Sequence, residues 1–80
     1  MKHCYIVLGE PGREFLGIHL TIDGAVHAAA GLGANGMPNG DALYVDSVSA
    51  WLKRHHTISL RCADGEDHHG ITIERHAVVL

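Results

Sequence analysis

Aromatic residues are scarce in this chain: Tyr5, Phe15, Tyr44 and Trp51 are the whole set. Its core must therefore be assembled mainly from Ile, Leu and Val. Basic residues are also few. Six Lys and Arg stand against nine Asp and Glu, for a formal charge of −3, and they are scattered along the chain. A nucleic-acid binder carries a clustered basic footprint, so direct nucleic-acid binding is not expected. No apolar run is long enough to cross a bilayer, and the opening residues Met1 to Tyr5 lead straight into a strand pattern without a signal-peptide core. These absences point to a cytoplasmic protein with no membrane partner. Cysteine appears twice, at Cys4 and Cys62, in segments that read as strands. A disulfide would need those strands to be neighbours. Two buried thiols in a reducing compartment is the favoured reading.

What is present describes one small domain spanning residues 1–80. An apolar share of 46% argues against disorder. Chains of this size bury only about 60% of their unfolded surface, so their stability is marginal. His3 to Leu8 is a β-favouring run closed by the turn signal Gly9-Glu10-Pro11-Gly12. Phe15 to Ile22 alternates, with Leu16, Ile18, Leu20 and Ile22 on one face and Phe15, Gly17, His19 and Thr21 on the other. The two runs should pair as an antiparallel hairpin. A short Ala-rich helix follows, with Thr21 or Asp23 as its cap and Gly31 as a left-handed terminator. Residues 31–40 form a glycine-rich stretch expected to be a loop, and Ala42 to Val45 is left unassigned. Asp46 or Ser47 should cap a second helix whose Val48, Trp51 and Leu52 share one face. Lys53 and Arg54 fall in its last turn, where positive charge suits the helix dipole. Thr57 to Cys62 and Gly70 to Leu80 read as strands, the first with Ile58, Leu60 and Cys62 inward and the second with Ile71 and Ile73 inward. Beyond His76 the alternation falters, as a bulge or a change from edge to covered strand would produce. The expected fold is α+β, a four-stranded antiparallel sheet with one or two short helices on one face, in the order β-β-α-α-β-β.

The chemistry-bearing motifs are weak. Gly31 to Gly36 spells G-x-G-x-x-G, but a phosphate cradle needs a strand before it and a helix after it. Here a helix precedes it and Met37-Pro38-Asn39-Gly40 follows, so the stretch reads as a contact loop. Eight histidines include the pairs His55-His56 and His68-His69. Imidazole suits zinc, copper or nickel, and these four are the candidate ligands. A hairpin between the last two strands would hold the pairs about 20 Å apart, at ~3.3 Å per residue, so a solvated role is favoured over a shared ion. No nucleophile lies in a catalytic context such as G-x-S-x-G, and neither catalysis nor a cofactor is expected. Trp51 reads as an anchor of the second helix or, with Tyr44, as an aromatic hot spot. Acidic and polar loops remain as the contact surface: Glu10, Arg13 and Glu14, then Asn35 and Asn39, then Asp64, Glu66 and Asp67.

In its size, mild acidity and β-β-α opening, carried by Tyr5-Ile6-Val7-Leu8 and Leu16-Gly17-Ile18-His19-Leu20, the chain resembles the small inhibitors of phages and mobile elements, of which anti-CRISPR proteins are the type. That resemblance implies a non-catalytic protein that binds and inhibits a larger protein or nucleoprotein complex, such as a bacterial CRISPR effector complex, in the host cytoplasm. It carries over no individual residue. The alternative is a histidine-based metal-binding module, and the apolar C-terminal strand is a candidate surface for a homodimer.

Overall fold

The computed structural model describes residues 2–65 and 67–79. Among them, five strands and two helices follow the chain as β1 (Lys2–Glu10), β2 (Glu14–His19), α1 (Ile22–Gly31), β3 (Ala34–Gly36), α2 (Val45–His55), β4 (Thr57–Cys62) and β5 (Gly70–Val78). The strands form one antiparallel sheet in the order β2-β1-β5-β4-β3. The α+β class with helices on an antiparallel sheet is as expected. The strand count is not, because a fifth strand, Ala34–Gly36, lies inside the glycine-rich stretch. It is three residues long, pairing Ala34 with Cys62 and Gly36 with Arg61. So short a segment has no readable period.

Cross-strand partners share a face, and the register shows where the core lies. Val7 stands opposite Ile73, which stands opposite Ile58; Ile71 stands opposite Leu60. All five are buried and pack with Ala25, Val26 and Ala29 of α1 and Val48 and Leu52 of α2. Both helices thus cover one face of the sheet, and the other face is open.

Each helix begins and ends for a local reason. Thr21 Oγ accepts the Gly24 N–H at 3.0 Å, capping α1. Gly31 is the last residue of that helix, not its left-handed terminator; the positive φ falls at Gly33, which turns the chain into β3. The second helix starts earlier than expected. Tyr44 is its cap residue and makes no side-chain cap bond among the described residues, so neither Asp46 nor Ser47 caps it. Asp46 lies in the first turn instead, where a carboxylate suits the positive helix end. His56, at φ 62°, terminates α2, and its N–H donates to Leu52 at 3.1 Å.

Two corrections concern the strands. In β2 the register slips: Val7 faces Gly17 and Leu8 faces Phe15, leaving Leu16 as the extra residue of a bulge. Leu16 packs on the core, while Phe15 and Ile18 share the open face opposite Leu8 and Ile6. The simple alternation expected for Phe15 to Ile22 therefore breaks at Leu16–Gly17, where Gly17 holds φ 152°. The last strand runs Gly70–Val78, and Leu80 lies outside the described residues. Its Gly70–Glu74 half pairs on both sides, whereas His76–Val78 continues past the start of β4 and pairs with β1. This change of cover accounts for the loss of alternation. Cys4 and Cys62 are not bonded to each other, since β5 separates their strands.

Candidate protein-binding surface

Antiparallel pairing decides which loops meet. Glu10 faces Gly70 across β1 and β5, and Gly70 faces Arg61 across β5 and β4. The β1–β2 turn and the β4–β5 turn therefore lie side by side at one end of the sheet. A backbone bond stitches them, from the His69 N–H to the Glu10 carbonyl at 3.1 Å. His68 fills the angle between them. Its ring lies so close over Gly9 that a Cβ there would come within 2.6 Å of Nδ1, and its Nε2 is 3.7 Å from Glu14 Oε2. Glu14, Asp64 and Asp67 are exposed at this end. Glu66, expected beside them, lies outside the described residues.

Glu10 and Arg13 are engaged differently. Arg13 Nη2 donates to Glu74 Oε2 at 2.7 Å, and Nη1 lies 3.5 Å from Glu10 Oε1. Thr72 Oγ donates to the same Glu10 oxygen at 3.2 Å, and His76 Nε2 lies 3.1 Å from Glu74 Oε1. The knot joins β1, β5 and the β1–β2 turn on the open face. Hydrogen bonds from His76 and then Arg13 hold the Glu74 carboxyl below its usual range, against a smaller opposing effect of burial. Glu10 and Arg13 thus fasten the sheet and have less capacity left for a partner.

The two asparagines are not brought together with the acidic turns as one patch. Asn35 is exposed on the edge strand β3. Asn39 is clipped to Asp41, its Nδ2 donating to Oδ2 at 3.0 Å while its Oδ1 accepts the Asp41 N–H at 3.1 Å. That clip borders a shallow groove of about 330 Å³ beside the second half of α2, lined by Met37, Trp51, Arg54 and His55 among others. Trp51 is half-buried against the core with its ring 5.1 Å from that of His55, whereas Tyr44 is exposed and is not among the groove's lining residues.

The histidine pairs stay apart. His55 and His56 precede β4, and His68 and His69 follow it at the opposite end. Among the described residues no group of three or more His, Cys, Asp or Glu side chains is placed to hold a metal ion. His56 Nδ1 lies 3.2 Å from Arg75 Nη2. A guanidinium can only donate, so this nitrogen is an acceptor and the ring proton is on Nε2.

A second surface feature escapes sequence reading. Phe15, Ile18 and Leu20 are 63%, 57% and 80% exposed. The first two project from the open face of β2, next to Ile6 and Leu8 of β1. The only warning in the sequence is Gly17, whose lack of a side chain permits the bulge that turns Phe15 outward beside Ile18. No helix among the described residues is long and apolar enough to cross a membrane. No family model, curated protein or solved structure matches this chain.

Proposed function

We propose that this chain is a non-catalytic interaction protein that occupies the surface of a larger protein or nucleoprotein complex through its acidic end. One observation carries the reading: the β1–β2 and β4–β5 turns, remote in sequence, lie side by side and expose Glu14, Asp64 and Asp67 together. The arrangement is braced by the His69–Glu10 backbone bond and the His68 ring, so the carboxylates are presented on a fixed frame. A preorganised surface loses less conformational freedom on binding. Negative charge of this kind complements a cationic surface, and its contribution is to encounter rate and specificity more than to raw affinity. A nucleoprotein effector that holds nucleic acid in a positive channel, as CRISPR effectors do, is the partner class that the resemblance implies. Occupying such a channel blocks it without chemistry.

The test compares the native chain with Asp64→Lys/Asp67→Lys as baits in a lysate of the host. Both positions are exposed, so the variant should keep the native melting temperature. The native bait should retain a stoichiometric protein or nucleoprotein partner that dissociates as salt is raised, and the variant should lose it. Absence of any stoichiometric partner, or equal retention by both baits, overturns the reading.

A further inference from the structure

The two edges of the sheet are unlike. The β3 edge is three residues long and is partly covered by the Gly36–Ala42 bridge. The β2 edge is six residues long, and among the described residues no strand pairs with its outer side. Natural edge strands are usually protected by Pro, by Lys, by a bulge or by a covering element, and of these β2 has the bulge at Leu16. Glu14–His19 contains no Pro and no Lys.

Its face pattern is palindromic. Glu14, Gly17 and His19 pair with Gly9, Val7 and Tyr5 and so take the helix-covered face; Leu16 packs there as well. Phe15 and Ile18 take the open face. From Glu14 to His19 the order is covered, open, covered, covered, open, covered. It reads the same in both directions only because of the bulge. We infer that β2 pairs with β2 of a second copy of this chain, antiparallel about a two-fold axis level with the Leu16–Gly17 peptide.

In that register every residue meets one of its own face. Phe15 stands opposite Ile18 of the copy, and the reciprocal pair repeats it, so four apolar side chains that are exposed in one chain cover one another. Leu16 stands opposite Gly17, both on the covered face. Glu14 stands opposite His19, an acid facing a base. A bulge normally hinders pairing with a straight strand, but here two bulges face each other and the residue counts match. The device favours self-association over foreign strands, as an isologous interface requires. The edge offers 6 residues, against the roughly 20–30 residues a side of standard interfaces, so the dimer is weak and concentration-dependent. It leaves Asp64 and Asp67 free, and it directs the two acidic ends in opposite directions. Glu14 is common to this edge and to the acidic end, but the two readings fail separately: Asp64→Lys/Asp67→Lys alters the acidic end without touching this edge.

Sedimentation equilibrium over a wide concentration range tests the dimer, and cross-linking tests its register. The native mass should rise from 8.6 kDa toward twice that value. Ile18→Lys, at an exposed position, should remain monomeric while keeping its melting temperature. Then, with Cys4 and Cys62 replaced by Ala, Phe15→Cys and Ile18→Cys chains are oxidised separately and mixed. Opposed Cα atoms in a ladder are about 4.5–5.5 Å apart and can be bridged, whereas positions three residues out of register, about 10 Å away, cannot. The mixture should give the 15–18 heterodimer at least tenfold faster than either chain alone gives a homodimer. A monomer at every concentration, an Ile18→Lys chain that dimerises as tightly as the native one, or equal cross-linking in the separate and mixed samples overturns the proposal.

Discussion

Gly9→Ala isolates one close contact. Gly9 lies on the covered face of β1, and the His68 ring occupies the space a side chain would need. An added Cβ would lie 2.6 Å from both Cε1 and Nδ1 and 3.1 Å from Cγ. Three ring atoms are involved, so the whole ring must retreat and abandon its place beside Glu14. Overpacking of this kind costs about 1–3 kcal/mol. Against it, Ala in a strand is favoured over Gly by about 0.5–1 kcal/mol. The net expectation is a loss of about 0–2.5 kcal/mol, centred near 1 kcal/mol or roughly 4–8 °C in melting temperature for a domain of this size. His68→Ala removes the obstacle, and in that background the same Gly9→Ala change should stabilise the fold by about 0.5 kcal/mol. Urea unfolding of the four chains in a double-mutant cycle reads the coupling directly. A Gly9→Ala effect that is the same with and without the His68 ring would refute the reasoning.

Glu74 makes stability depend on acid. Its carboxyl is held below 4.5 in the folded chain, so it contributes stability that is fully present above its unfolded value and is lost as pH falls through the folded one. Denaturant titrations below pH 4.5 should show that loss, and Glu74→Gln should flatten it; an unchanged acid limb in the variant would count against the Arg13–Glu74–His76 knot. Thr21→Ala removes the side-chain acceptor of the Gly24 N–H and should cost about 1 kcal/mol, measured by chemical denaturation, with Thr21→Ser close to native.

Much of the fold is readable along the chain, because local periodicity is a local property. Ile58 and Leu60 point inward as their spacing requires, and Val48 and Leu52 share the buried face of α2. Thr21 caps α1 by a bond to a residue three positions away. The failures have physical causes of two kinds. Ala34–Gly36 is a strand because Cys62 and Arg61 lie beside it, a reason that resides elsewhere in the chain. At Leu16–Gly17 one extra residue inverts the expected faces, and a two-residue period has no means of announcing it. The acidic loops were visible as Glu14, Asp64 and Asp67, but their meeting depends on strand order. Asn39 shows the opposite error: it resembles the other polar loop residues in sequence, yet it lies by α2 because the chain leaves the sheet after Gly36.

The central seam between β1 and β5 has a consequence for how the chain reaches this state. Arg13 and Glu74 are 61 positions apart, and the whole β1–β5 ladder joins segments at comparable separation. The β1–β2 and β4–β5 hairpins can each form quickly from neighbouring residues. Neither completes the sheet until the two dock, and that docking must first close a loop holding both helices and β3. Such non-local pairing slows folding, because the entropy of closing the loop is lost before any contact is gained. During synthesis the inner edge of β1 waits for a partner that is made only after both helices and β4. Until then it is an unpaired apolar strand, and the rate of hairpin docking governs how long the nascent chain is exposed to misassembly.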